Sequence, residues 1–153
     1  MEVGFKLYLI TDRSLCTPSS SLLVAVELAL RGGVRAVQLR EKDMPTRELL
    51  ALAYEMRRLT GRYGAMLFIN DRLDIALCVD ADGVHLGQSS IPVRAARKVV
   101  GTKCVIGAST HSVEEALEAE EEGADFITFG PLYHTPSKIM YGEPVGIEAL
   151  RRL

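Results

Sequence analysis

The sequence predicts an α/β fold in which strand–helix–strand units follow one another around a parallel sheet. Short apolar runs alternate along the chain with longer segments of helical periodicity, which is the pattern of βαβ units. A small residue (Gly33, Ala81 or Gly123) stands where a helix would end just before three of these runs, as short helix–strand loops require. Because the units recur every ~20–40 residues, we expect a (β/α)8 barrel rather than a solenoid.

Six apolar runs are the predicted strands. They cover residues 6–11, 36–39, 66–69, 83–86, 104–106 and 126–129. A closed barrel of this class has eight strands and usually about 250 residues. We therefore expect only about six βα units in this chain, with an apparent truncation at its C-terminus, where residues 146–153 begin a helical pattern and stop.

The helical segments lie between these runs. Apolar residues recur at helical spacing from Leu49 to Leu59, which predicts an amphipathic helix. Residues 21–30 and 91–100 have similar patterns. Ser112 and Glu115 have the spacing of a capping box, which predicts a helix that runs to Glu122.

Composition limits the class of protein. The chain has 153 residues, 48% hydrophobic and 25% charged, with a formal net charge of −2. These values predict one globular domain over residues 1–153 with a sizeable core, and they argue against a nucleic-acid surface. Homo-oligomerisation stays open, because the sequence does not reveal it.

Neither a leader nor a membrane span is predicted. Lys6, Asp12 and Arg13 interrupt the apolar start of the chain, and its longest apolar runs are far shorter than a membrane span. The three cysteines are Cys16, Cys78 and Cys104. Their odd number and wide spacing favour reduced thiols over disulfides or a metal site, so we expect a cytoplasmic protein.

Polar residues follow two of the predicted strands. Gln38, Arg40 and Lys42 alternate after the second run, so on an extended strand end they share one face. An amide and two cations aimed together suit a pyrophosphate-bearing substrate. The alternative is a solvated surface turn.

Asn70 and Asp71 follow the third run. A carboxylate at a strand end can hold Mg²⁺, and the neighbouring amide can bind a phosphate oxygen. Alternatively, one of the two side chains only caps a helix that begins near Leu73.

The loop at residues 130–138 carries hydroxyls and a lysine that could cradle an anion, or it is an ordinary surface loop. Of the three histidines, His85 lies within a predicted strand, where a structural role is expected. His111 stands at a strand end, where proton transfer or a local hydrogen bond is expected. His134 lies in the loop, where it could simply be solvated.

Taken together, six strings resemble the thiamine phosphate synthase family in order and spacing. They are Tyr8-Leu-Ile-Thr-Asp12, Gln38-Leu-Arg-Glu-Lys42, Phe68-Ile-Asn-Asp-Arg72, Ala81-Asp-Gly-Val-His-Leu-Gly-Gln88, Gly107-Ala-Ser-Thr-His111 and Gly130-Pro-Leu-Tyr-His-Thr-Pro-Ser-Lys138. The resemblance implies a TIM barrel without its last two βα units. It also implies an enzyme that joins an aminopyrimidine diphosphate to a thiazole phosphate and releases pyrophosphate with Mg²⁺.

The resemblance further implies residue roles. The pyrimidine and its diphosphate would be held by Gln38, Arg40, Lys42, Asn70, Ser109 and Lys138, and the substrate-binding strings also include Leu39, Glu41 and Pro136. Thr135 and Ser137 would contact the thiazole phosphate, and Asp71 would be a Mg²⁺ ligand. The carbon–oxygen bond to pyrophosphate would break first, so Arg40, Lys42, Lys138 and Mg²⁺ would stabilise the leaving group.

Two departures from the family pattern leave alternatives open. Ser90 occupies the position of a second acidic Mg²⁺ ligand, and the chain ends before the loops after strands seven and eight. The absence of that acid and the presence of His111 favour a thiazole tautomerase, in which His111 would transfer the proton. A regulatory paralogue that binds a phosphate ligand without turnover is a third interpretation.

Overall fold

In the computed structural model, which describes residues 3–17, 21–135 and 143–153, six parallel strands alternate with helices. The strands are β1 (Tyr8–Ile10), β2 (Ala36–Leu39), β3 (Met66–Asn70), β4 (Gly83–Leu86), β5 (Val105–Thr110) and β6 (Phe126–Phe129). The helices are α1 (Leu22–Arg31), α2 (Thr46–Arg62), α3 (Leu73–Cys78), α4 (Val93–Val100), α5 (Val113–Glu121) and α6 (Gly146–Leu150), and a short 3₁₀ turn covers Arg13–Leu15. Each strand pairs with the next along the chain, in the order β1-β2-β3-β4-β5-β6.

The predicted strands are confirmed in number and order, and three of them have the predicted bounds. The first is shorter than predicted, and the third continues to Asn70. The prediction of 104–106 for the fifth is wrong, because β5 starts at Val105 and runs through small and polar residues to Thr110. Their backbone pairs with β4 and β6, so sheet neighbours extend a strand that its own side chains do not signal.

The helix starts also differ in one place. Ser21 and Ser112 are N-caps, and each hydroxyl accepts a backbone N–H from the first turn. The helix predicted over 91–100 starts instead at Val93, after Pro92. Proline before or at the first turn is favourable because that position has no intrahelical N–H bond to make.

The sheet is curled, and its two edge strands meet through their side chains. In a flat sheet β1 and β6 would lie five strand spacings apart, roughly 24 Å. Instead, the ring centroids of Tyr8 on β1 and Phe126 on β6 are 5.5 Å apart. The fold is therefore a partial TIM barrel with an interior of its own.

Strand alternation separates two apolar cores. One lies between the sheet and the helices and includes Val37, Leu67 and Ile106. The other lies inside the curl, where Phe68 packs with partly buried rings such as Phe126. Successive side chains of a strand point to opposite faces, so a single strand supplies both cores.

Glycines on β4 and β5 make the interior wide enough for these rings. A Cβ atom at Gly83 would overlap the ring of Phe68. A Cβ atom at Gly107 would overlap the ring of Phe126 and would lie 2.7 Å from Nδ1 of His85. These two strand glycines therefore serve close packing.

The amino ends of the strands are held by a repeated ion pair. Asp82, just before β4, binds Arg57 of α2 at 2.5 Å and accepts a backbone N–H of β3 at 2.7 Å. Asp125, just before β6, binds Arg97 of α4 at 2.6 Å and accepts a backbone N–H of β5 at 2.8 Å. These two aspartates thus make equivalent contacts at the face opposite the strand carboxyl ends.

Two further predictions concern thiols and membranes. The cysteines are free, but only Cys104 is buried, whereas Cys16 is half-buried and Cys78 is exposed. No helix in the described ranges is long and apolar enough to cross a bilayer.

We expect the substitution Gly107→Ala to lower the free energy of unfolding by about 1–3 kcal/mol, because the added methyl group forces the Phe126 ring to move. Urea denaturation measures this change. Gly61→Ala is the matched control, since Gly61 is exposed in α2 and a Cβ atom there meets nothing within 4 Å. That control should be neutral or stabilising by up to about 1 kcal/mol. Equal stabilities for the two variants would contradict the packing role of Gly107.

Candidate active site

A cleft of about 670 Å³ opens at the carboxyl ends of the strands, where parallel α/β folds bind ligands. It receives side chains from the ends of β2 to β6 and from the loops that follow them. The predicted site residues that line it are Gln38, Leu39, Arg40, Glu41, Lys42, Asn70, Asp71, Ser90, Ser109 and His111. The fold therefore brings together predicted residues from four separate parts of the sequence.

Arg40 and Lys42 present positive charge to this cleft. Within the described ranges neither side chain forms an ion pair within 4.0 Å, whereas Arg13, Arg57 and Arg97 are all paired with carboxylates. A cation without a protein counter-ion is available for an anionic ligand.

Glu41, between the two cations, has its carboxylate bound by the segment after β1. Its Oε1 accepts the hydroxyl of Thr11 at 2.8 Å, and both of its oxygens accept the backbone N–H of Arg13 at 3.2 Å. The Arg13 guanidinium lies 3.4 Å from Oε2. These contacts offset the negative charge of Glu41, which therefore repels an anion in the cleft less strongly.

The same segment also fixes the backbone beneath Arg40. The Thr11 hydroxyl accepts the backbone N–H of Arg40 at 2.9 Å while it donates to Glu41. Arg13 extends the contact to the exposed carboxylate of Asp43, at 2.7 Å. The start of the loop after β2 is therefore attached to the end of β1.

Asn70 and Asp71 form a tight turn at the end of β3. Asp71 has a positive φ of 64°, and its N–H donates to the carbonyl of His85 at 2.9 Å. Asp and Asn adopt this left-handed conformation more readily than most residues. The alternative that one of the two side chains caps the next helix is wrong, because the N-cap of α3 is Arg72 and no side chain caps it.

The donor set at this turn fits a Mg²⁺ ion whose coordination the substrate completes. The exposed Asp71 carboxylate faces the cleft, but the described residues contain no group of three or more His, Cys, Asp or Glu that could enclose a metal. The Ser90 hydroxyl accepts the backbone N–H of Gly87 at 2.9 Å, which weakens it as a ligand. Mg²⁺ is commonly held by one or two carboxylates together with substrate phosphates and water.

A chain of buried polar groups forms the floor of the cleft. Gln38, 1% exposed, donates from Nε2 to the Tyr8 hydroxyl at 3.0 Å, and this hydroxyl lies 3.4 Å from Nδ1 of His85. Nε2 of His85 is 3.0 Å from the Ser109 hydroxyl. The Thr128 hydroxyl approaches Ser109 at 3.4 Å. Residues of five strands are thus linked through the barrel interior.

The titratable groups in this row of hydrogen-bonded side chains are uncharged. Burial lowers the pKa of His85 to about 4, and the positive charge of Arg40 acts in the same direction. Burial also raises the pKa of the Tyr8 phenol above its usual value, against the opposing effect of the Gln38 hydrogen bond. Both groups are therefore neutral near pH 7.

His111 lies at the end of β5 and also faces the cleft. Its backbone N–H donates to Glu115 at 2.7 Å, and its Nδ1 contacts the carbonyl oxygen of Gly130. The predicted capping box is therefore half formed: Ser112 accepts the N–H of Glu115, but the Glu115 carboxylate binds His111 and Gln88 instead of returning to Ser112.

Thr135 and His134, in the loop after β6, do not line the cleft. Thr135 is exposed, and its hydroxyl donates to the carbonyl of Tyr133 at 3.1 Å. His134 is exposed and lies 3.4 Å from Glu143. Pro136, Ser137 and Lys138 lie outside the described residues. Leu39 borders the cleft but belongs to the core beneath the helices.

Sequence reasoning did not assign Tyr8 and Thr128 to the site. His85, expected to be structural, also lines the cleft. Strand alternation carries the signal that would have found Thr128, because Ser109 on β5 is in register with Thr128 on β6. Tyr8 could be found only from the curl, which brings β1 across the interior.

Comparison with known proteins adds the family context. The family model described as thiamine monophosphate synthase matches residues 7–153. A putative thiamine-phosphate synthase of Geobacter sulfurreducens is 59% identical over 149 residues, which cover 97% of this chain and 70% of that protein. The thiamine-phosphate synthase of Clostridium novyi is 46% identical over 153 residues, which cover 100% of this chain and 74% of that protein.

A solved structure is similar over the same region. The thiamine phosphate pyrophosphorylase of Pyrococcus furiosus superposes with a TM-score of 0.85 at 42% identity, covering 97% of this chain and 68% of that one. The fold of this chain therefore matches that of the relative over almost its whole length.

We expect Glu41→Ala to lower the free energy of unfolding by about 2–4 kcal/mol, because it leaves the Thr11 hydroxyl and the backbone N–H of Arg13 without their acceptor. The measurement is chemical denaturation. Asp43→Ala is the matched control: both carboxylates pair with Arg13, but the Asp43 side chain is 78% exposed and that of Glu41 only 3%. The control should change stability by less than about 1 kcal/mol. A loss of stability for Asp43→Ala as large as that for Glu41→Ala would contradict the role of the buried Glu41 carboxylate in attaching the loop after β2 to the end of β1.

Proposed function

This chain belongs to the thiamine monophosphate synthase family, and we propose that its cleft carries out the joining of an aminopyrimidine diphosphate to a thiazole phosphate with release of pyrophosphate. The protein is thus a transferase of thiamine biosynthesis that acts on small-molecule substrates. The observation that supports this assignment best is the pair of cations, Arg40 and Lys42, which stand in the cleft without carboxylate partners among the described residues.

The reaction places its main demand on the leaving group. When the carbon–oxygen bond to pyrophosphate breaks, negative charge grows on the departing oxygen and a cation remains on the pyrimidine methylene carbon. Arg40 and Lys42 stabilise the first charge at fixed positions, since the backbone at Arg40 is bound by Thr11. Lys138, outside the described residues, would contribute a third positive charge in the same role.

The other residues orient the substrates. Gln38, Asn70 and Ser109 offer polar groups on the strands beside the cations, which suits a flat pyrimidine ring held against the floor of the cleft. The thiazole nitrogen attacks the cationic carbon, and because it does so with its lone pair, the step requires no general base from the protein. Thr135, Pro136 and Ser137 would contact the thiazole phosphate.

Mg²⁺ is the proposed cofactor. Asp71 would hold it, and the diphosphate oxygens and water would complete its coordination in the absence of an acid at Ser90. When bound, the ion supplies charge neutralisation to the leaving pyrophosphate. Asp71 is suited to this role because the turn after β3 fixes its backbone toward the cleft.

Thiazole tautomerase is the second candidate, and the position of His111 in the same cleft is the observation that favours it. The contact between Nδ1 of His111 and the Gly130 carbonyl fixes one edge of the ring. Proton transfer alone does not require two cations without carboxylate partners among the described residues, nor an acidic residue at the Asn70–Asp71 turn. The synthase reaction therefore explains more of the residues that line the cleft.

We expect the protein to release pyrophosphate when supplied with the pyrimidine diphosphate, thiazole phosphate and Mg²⁺, and to release much less when Mg²⁺ is withheld. Coupled detection of pyrophosphate measures both rates. Absence of release above background would overturn the synthase assignment. In that case, thiazole isomerisation by the wild type but not by His111→Ala would identify a tautomerase. Saturable ligand binding with neither activity would identify a regulatory paralogue.

Substitution of the cations tests the site independently of turnover. We expect Arg40→Ala and Lys42→Ala each to weaken the binding of inorganic pyrophosphate at least about tenfold, because each removes a charge-assisted hydrogen bond. Isothermal titration calorimetry measures the affinity. Arg47→Ala is the control, since Arg47 is exposed on α2 and does not line the cleft. Equal affinity in all three variants would show that the diphosphate binds elsewhere.

A further inference from the structure

We propose that His85 is a positioning residue which sets the polarity of the Ser109 hydroxyl. The hydrogen bonds from Gln38 through Tyr8 run in one direction, hold His85 as its Nε2–H tautomer, and leave the Ser109 proton to be donated into the cleft. This inference deepens the proposed function and rests on it for the identity of the ligand. The tautomer itself depends only on contacts within the fold.

The first step is the direction of the bond at Tyr8. Gln38 donates from Nε2 to the phenol oxygen at 3.0 Å, so the phenol is an acceptor in that contact. Its own proton then needs an acceptor, since a buried phenol pairs its O–H. The other hydrogen-bond contact of the Tyr8 hydroxyl among the described residues is Nδ1 of His85, at 3.4 Å. Nδ1 must therefore be unprotonated.

The second step places the single proton of the neutral imidazole. Because Nδ1 accepts the Tyr8 proton, the ring carries a single N–H, and this N–H must be on Nε2. Nε2 lies 3.0 Å from the Ser109 hydroxyl, so His85 is the donor and Ser109 the acceptor.

The third step follows for Ser109. Its oxygen accepts from Nε2 of His85 at 3.0 Å, a shorter contact than the 3.5 Å between Nε2 and the Thr128 hydroxyl. The Thr128 hydroxyl donates to the same Ser109 oxygen at 3.4 Å, so both lone pairs of Ser109 are occupied. Only its proton is left for a ligand. The group that binds at Ser109 is therefore a hydrogen-bond acceptor and not an amino group.

The opposite direction makes a distinct prediction. If the Gln38 amide turned its oxygen toward Tyr8, every bond of the chain would reverse. His85 would carry its proton on Nδ1, and Ser109 would donate to His85 and offer only a lone pair to the ligand. The two directions thus correspond to the two tautomers of one histidine, which can be measured.

Nuclear magnetic resonance of the ¹⁵N-histidine-labelled protein tests the proposal without substrate. Long-range ¹H–¹⁵N correlation near pH 7 identifies which ring nitrogen is protonated, and the variants His111→Asn and His134→Asn assign the His85 signals by elimination. We expect Nε2 of His85 to be protonated and Nδ1 to be unprotonated. A proton on Nδ1, or on both nitrogens, overturns the proposal.

Gln38→Glu tests the direction of these hydrogen bonds at a pH at which the new carboxyl group is ionised, because an ionised carboxylate can only accept from Tyr8. We expect His85 to change to the Nδ1–H tautomer in this variant. An unchanged Nε2–H tautomer would contradict the proposal that the hydrogen bonds from Gln38 through Tyr8 set the tautomer of His85. The double variant Gln38→Glu/Tyr8→Phe is the control, since it removes the link to His85. A change as complete as in the single variant would show that the effect bypasses Tyr8.

The wild-type spectrum remains decisive even if these variants fail to fold. The test also separates this inference from the proposed function. An Nε2–H tautomer in a protein that releases no pyrophosphate contradicts only the reaction. An Nδ1–H tautomer in an active enzyme contradicts only the proposed direction of the hydrogen bonds from Gln38 to Ser109.

Discussion

The contact between the rings of Tyr8 and Phe126 is the constraint on which the rest of this molecule depends. It holds the first and sixth strands across one interior, 5.5 Å apart at the ring centroids. The curl exists because Gly83 and Gly107 leave space where any side chain would meet a ring. Without it, Gln38, His85 and Ser109 would lie along an open sheet instead of around a common cleft.

Charge is distributed between the two ends of the strands according to its use. At the amino ends, Arg57 and Arg97 are each paired with an aspartate, and that aspartate also accepts a backbone N–H of a strand. At the carboxyl ends, Arg40 and Lys42 have no such partners among the described residues, and the carboxylate of Glu41, between them in sequence, is bound by Thr11 and Arg13. The cleft is thus positive in a protein whose net charge is −2.

The sequence predicts the order of strands and many of the polar residues that line the cleft, because strand alternation and the position of strand ends are local properties of the chain. It does not predict the full length of β5, where pairing with β4 and β6 outweighs the small, polar side chains of residues 107–110. Nor does it predict that Tyr8 joins His85, since this contact spans 77 residues and arises only from the curl. The role of Glu41 has the same origin, because its acceptor function depends on a neighbouring strand.

The paired aspartates at the strand amino ends have an evolutionary consequence. Asp82 and Asp125 each join a strand to the strand before it and to a preceding helix, so cohesion of the scaffold is secured far from the ligand. Loops at the other face can then diversify with little penalty to folding. Ser90, at the position where the resemblance to the family implies an acid, lies in one of these loops.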